Sequence, residues 1–168
     1  MAKEILYKND IYTFNNLPAR KIIVVSVGNI YEFSDAMGIY LLKNSESALR
    51  KEYAEKIMFL DAGVSPESLT SKIKKEAPTQ IFILDSANFK GEPLDIKLIP
   101  SEKIIGLKFS GHNLPLSMIY KYLKIETGAD IHIIGIQAPL KGCDQAGILK
   151  SIGIEAFEFN EFLYKIFA

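Results

Sequence analysis

The chain has 168 residues, 48% hydrophobic and 24% charged, which suits one domain with a full-sized core and excludes a disordered segment. Lys plus Arg and Asp plus Glu both number 20, so no long-range field selects nucleic acid or an anionic membrane. The single cysteine, Cys143, excludes an intrachain disulfide and a Cys-rich metal centre, and makes a reducing compartment the simpler setting.

Residues 1–20 read as an N-terminal extension, with Tyr7, Ile11, Tyr12 and Phe14 scattered among polar residues, ahead of one α/β domain over 21–168. MAKEILYKND lacks the apolar run of a signal peptide, and the longest apolar stretches, 22–27 and 131–136, are only strand-length. A cytoplasmic protein with no membrane segment is therefore expected. IIVVSV (22–27) is a continuous β-branched run, as in a strand buried on both faces, and it stops at the turn signal Gly28-Asn29. Ser34-Asp35 offers an N-cap to a helix running through Met37, Tyr40, Leu41 and Leu49. A strand (57–63) and a helix (65–75) follow, the latter with Ser65 as cap and Pro66 at its first position. IFILD (81–85) is a third strand, and the alternating LDIKLIP (94–100) an exposed edge strand. A helix over 113–124 and a last core strand, IHIIGIQ (131–137), complete the pattern. Beyond Gly142, Phe157, Phe159, Phe162 and Phe167 suggest a segment packing on the core. Alternating strands and helices imply a three-layer α/β/α sandwich around a twisted, mostly parallel sheet of about five strands.

In such sheets ligands sit beyond the carboxyl ends of the strands. Three segments place polar groups there: 28–38 with Glu32 and Asp35, 84–91 with Asp85 at a strand tip, and the turn 109–113 with His112. Two carboxylates and an imidazole in one crevice suit zinc, nickel or another first-row divalent metal, with a position left open. Each also has a structural alternative. Asp35 is equally placed to cap its helix, Asp85 to bind loop amides and His112 to cap the helix after it. His132, inside a strand pattern, reads as structural, and Cys143 as a plain free thiol. The sequence has no G-x-G-x-x-G, Walker A or G-x-S-x-G pattern, so no nucleotide cradle or serine elbow is expected.

Gly28-Asn29-Ile30 followed by Asp35-Ala36-Met37-Gly38, then DAGVSPE (61–67), LDSANFKG (84–91), GHNLPL (111–116) and IIGIQ (133–137), resemble the hydrogenase maturation endopeptidases. The formate-hydrogenlyase (hydrogenase 3) type is the nearest in flavour. The resemblance implies a protease that trims the C-terminal tail of a nickel–iron hydrogenase large-subunit precursor. On this pattern Asp35, Asp85 and His112 contact nickel brought by the substrate, and no organic cofactor is expected. Asp35 or Asp85 then also serves as general base, with Asp61 and Glu32 as secondary candidates. A monomer is expected. Ser34 replaces a second acid of the family and Ala36 a glycine, while the short, Phe-rich C-terminus stands where a long regular helix belongs. These departures keep open two alternatives. One is a nickel-binding or chaperone-like relative that recognises the large subunit without cutting; the other is an α/β small-molecule binder sharing only the fold.

Overall fold

The β-branched run forms an inner strand of a mixed sheet, and its neighbours follow from how the connections cross over. The computed structural model describes residues 1–106, 108–109 and 115–168. In chain order the elements are β1 (Lys3–Tyr7), β2 (Asp10–Phe14), β3 (Ile22–Val27), α1 (Met37–Ser47), β4 (Ile57–Asp61) and α2 (Thr70–Glu76). There follow β5 (Gln80–Asn88), β6 (Ile96–Ile99), β7 (Lys108–Phe109), α3 (Leu116–Thr127), β8 (Asp130–Gln137) and α4 (Gln145–Phe167). The main sheet has the order β4-β3-β5-β8-β6, with β7 paired to the end of β5. Its first four strands are parallel; β6 and β7 are antiparallel to their neighbours. The expected α/β/α sandwich with a mostly parallel sheet is therefore present. Among the described residues no helix is long and apolar enough to cross a membrane.

One face of the sheet is covered by α2 and α3 through Ile73, Leu116, Ile119 and Leu123. The other is covered by α1, α4 and the β1–β2 hairpin. Residues 1–20, read as an extension, thus bring a hairpin into the core. Tyr12 and Phe14 are fully buried, and Tyr7 stacks on Phe162 of α4 with ring centroids 4.5 Å apart. Polar bonds fasten the hairpin at both ends. The Asp130 carboxylate accepts the Asn15 and Asn16 N–H groups at 2.8 Å each, and Asp10 accepts the Leu98 N–H at 2.8 Å. Lys8 pairs with Glu155 and Glu158 on α4.

Two expectations change. The C-terminus is a long regular helix where the Phe-rich sequence predicts none: α4 spans 23 residues and buries Ile152, Ala156, Phe159, Leu163 and Ile166 at helical spacing. Gly147 and Gly153, together with aromatic residues of modest helix propensity, hide it locally, and packing on α1 and the hairpin overrides that weakness. Phe157, however, points into solvent. The helix starts also differ from expectation. Ser65 opens a 3-10 turn without a cap bond from its side chain, and the N-cap of α1 is Ala36 rather than Asp35.

Ala36 has no group to offer α1, and the helix start is satisfied from across the sheet. The Met37 N–H donates to Ser86 Oγ of β5 at 3.1 Å. The first turn lies so close to β5 that a Cβ on Gly38 would stand 2.6 Å from the Leu84 carbonyl oxygen and 3.1 Å from the Asp85 nitrogen. Glycine is required here by backbone contact. Gly38→Ala should therefore cost about 1–3 kcal/mol through forced displacement of α1, and Ser86→Ala about 1 kcal/mol through the lost cap. Denaturant midpoints of the purified variants read both.

His132 lies on β8 among Tyr12, Phe14 and Phe82, with its ring 4.9–5.5 Å from each of theirs. Its Nε2–H donates to the Thr13 carbonyl at 3.2 Å, so the neutral tautomer fits the hairpin. Burial lowers its pKa from 6.5 to about 4, outweighing the opposing pull of the Thr13 carbonyl and of Asp130. Between these values the unfolded chain binds the extra proton and the folded one does not. The folded state is thus fully favoured above about pH 6.5 and loses up to about 3 kcal/mol as pH falls towards 4. Urea unfolding at pH 7, 6 and 5 should show a weaker pH dependence for His132→Phe than for the parent.

Candidate active site

The chain leaves β3 through α1 towards β4 on one side, and leaves β5 towards β8 on the other. The carboxyl ends of β3 and β5 are therefore the switch point of the sheet, where connections diverge and a crevice opens. Asp85 lies there. It pairs in register with Val27, the last residue of β3, on one side and with Gly135 of β8 on the other, and its side chain is fully buried. The expectation that Asp85 ends its strand needs correction, because β5 continues to Asn88. Ser86 and Ala87 pair with β8, and Ala87 and Asn88 with β7. The polar Ser-Ala-Asn run is a strand only because tertiary neighbours supply its ladder.

Asp35 lies in the β3–α1 loop, at the same edge of the sheet. It ends a 3-10 turn, Phe33–Asp35, that packs against β5, and is itself half-buried. The loop folds back on β3 so tightly that a Cβ at Gly28, whose φ is +150°, would meet the Asp35 carbonyl oxygen at 2.1 Å. That carbonyl accepts the Asn29 N–H at 3.2 Å, and the Asp35 N–H donates to the Glu32 carbonyl at 2.8 Å. Gly28 thus fixes the height of Asp35 above the sheet, while Gly38 fixes its distance from β5.

The secondary candidates separate. Asp61 Oδ1 accepts the Ser26 hydroxyl at 3.1 Å and the Gly63 N–H at 2.9 Å, and the Gly63 carbonyl in turn accepts the Gly28 N–H at 2.9 Å. Its carboxylate orders the loop that holds Gly28, a positioning role. Glu32 is exposed and makes no cap bond from its side chain. His112 lies outside the described residues. The described neighbours of its segment are Phe109, paired with Ala87 on β5, and Pro115, the N-cap of α3. Among the described residues no three His, Cys, Asp or Glu side chains group as a metal site. Of the expected trio, Asp35 and Asp85 are among the described residues.

Gln137, which the sequence offered only as the end of IIGIQ, has a clear task. Its Oε1 accepts the Phe89 and Gly91 N–H groups at 3.0 Å each, and its Nε2 donates to Asn88 Oδ1 at 3.3 Å. This buried amide clamps the loop leaving β5, three residues past Asp85. An amide ending an otherwise apolar strand was the only signal for it.

Chemically, the carboxyl end of the parallel sheet carries one fully buried and one half-buried acid. Such a pair can accept a proton from water or bind a divalent cation.

Comparison with known proteins identifies the family and the fold. The sequence model of the family described as HycI, hydrogenase maturation protease, matches residues 44–152, a span that includes Asp85 and begins beyond Asp35. A Methanocaldococcus jannaschii protein bearing the name hydrogenase maturation protease is 36% identical over 122 residues, 70% of this chain and 72% of that one. The hydrogenase 3 maturation protease of Escherichia coli is 26% identical over 121 residues, 71% of this chain and 74% of its own. The crystal structure of the [NiFe] hydrogenase maturation protease HycI from Thermococcus kodakarensis superposes with a TM-score of 0.72 at 25% identity, covering 88% of this chain and 95% of that one. The solution structure of the endopeptidase HycI from Escherichia coli, at 22% identity and a TM-score of 0.64, covers 81% of this chain and 88% of its own and shares the fold. The chain therefore belongs to the hydrogenase maturation protease family and is a peptide-bond hydrolase of hydrogenase maturation.

Proposed function

We propose that this protein removes the C-terminal tail of a nickel-loaded [NiFe]-hydrogenase large-subunit precursor, with Asp35, Asp85 and His112 reading the nickel that the substrate carries. The observation that carries this reading is the fully buried carboxylate of Asp85 at the switch point, with the Asp35 turn packed against the same strand. A carboxylate at that position can hold a cation or exchange a proton with water in the working cycle. Nickel bound in the precursor is such a cation, and two carboxylates with an imidazole are a fitting donor set.

The substrate's nickel holds the precursor so that its peptide bond lies across the crevice. One carboxylate then takes a proton from water as the oxygen attacks the carbonyl carbon. The C–N bond breaks and the proton passes to the leaving amine, freeing the tail. Because recognition runs through the metal, a nickel-free precursor is refused. The enzyme needs no organic cofactor and works in the cytoplasm as a monomer. The long C-terminal helix α4 removes one of the departures that favoured a non-cutting relative.

Purified protein mixed with nickel-loaded precursor should release the tail, and the nickel-free precursor should stay intact. Asp85→Asn and His112→Ala should each slow release about 100-fold or more, with folding checked by circular dichroism. Release at the parent rate by either variant would refute the site assignment, and no release by the parent would refute the function.

A further inference from the structure

The large apolar side chains exposed in the loops around the sheet are unevenly placed. At the carboxyl ends of the parallel strands, the β3–α1 loop exposes Ile30 and Tyr31, the β4–α2 loop Val64, and the β8–α4 loop Leu140. Tyr31 is 93% and Leu140 74% exposed. The loops at the opposite end expose one such residue among those described, Leu17, beside charges such as Arg20, Lys51 and Glu52. Surface apolar residues scattered without purpose would favour neither end.

These side chains stand on built loops. The Gly28 N–H donates to the Gly63 carbonyl at 2.9 Å, joining the loop of Ile30 and Tyr31 to the loop of Val64. Asn29 Oδ1 accepts the Tyr31 N–H at 3.0 Å, and the Leu140 carbonyl accepts the Cys143 N–H at 3.2 Å, closing the turn on the far side. The order β4-β3-β5-β8 puts the first two loops on one side of the Asp85 strand and the third on the other. The crevice is thus flanked on both sides by exposed apolar groups. A small solute has no use for such a rim. A protein bringing a peptide bond to Asp85 has to cover it.

We infer that Tyr31, Val64 and Leu140, with Ile30, form the docking rim that grips the folded body of the precursor by apolar contact while its tail enters the crevice. This rests on the function proposed above. It assigns affinity to the rim and leaves the chemistry to the acids. A few anchors, aromatic ones such as Tyr above all, carry much of the binding energy in protein complexes.

The test uses the full-length protein and the nickel-loaded large-subunit precursor, with steady-state cleavage and precursor binding by fluorescence anisotropy. Tyr31→Ser and Leu140→Ser should each raise KM and the dissociation constant about tenfold, with kcat within about twofold and the thermal midpoint unchanged. Phe157→Ser, which removes an exposed apolar group of α4 away from the crevice, should match the parent. Parent-like binding by both rim variants overturns the inference, as does a parent protein that fails to bind the precursor. If the parent binds but does not cut, the proteolytic reading fails, and the rim is judged by binding alone: weakened binding sustains it, equal binding overturns it.

Discussion

At the ends of β3 and β5 two stretches of backbone lie closer than any side chain would permit. Gly38 lets the first turn of α1 rest on the Leu84 carbonyl, and Gly28 lets the preceding loop fold under the Asp35 carbonyl. With both glycines in place, Asp35 is held beside the strand that carries Asp85. A methyl group at either position would have to push α1 or its loop outwards, and the crevice would widen. Ser86 completes the contact by supplying to α1 the acceptor that Ala36 lacks.

Around this contact the remaining polar groups act mainly as fasteners. Asp61 holds Gly63, which holds Gly28; Gln137 holds Phe89 and Gly91. Each bond lies at the carboxyl end of a strand, so the rigidity of the sheet reaches the loops around Asp85. The division of labour follows from exposure. Asp85 is excluded from water, where a charge interacts strongly with whatever enters, whereas Glu32 stays in solvent, where it interacts weakly.

The far end of the core uses similar means for stability. The hairpin covers Phe82 and His132, which would otherwise lie bare on the sheet, and α4 closes over the hairpin. His132 is neutral there because the aromatic surroundings disfavour its charge, a structural role consistent with its position inside a strand. The hairpin was hard to read because its alternation is short and its partners are distant in sequence, among them Phe162, Asp130 and Leu98.

The sequence by itself determined the layer order, the parallel core and the family, because β-branched runs and short motifs around turns are local signals. It also offered Asp35 and Asp85 as candidates, since acids near the carboxyl ends of strands can be read from chain order. Only the tertiary structure decided that Ala36 holds the N-cap position of α1, that β5 runs past Asp85, that Asp61 serves a loop, and that residues 145–167 form one helix. Each of those outcomes depends on a partner remote in the chain. Ser86 gives α1 its acceptor, β7 and β8 give the end of β5 its ladder, and the hairpin gives α4 its apolar face. Pairings of that kind have no trace in local composition.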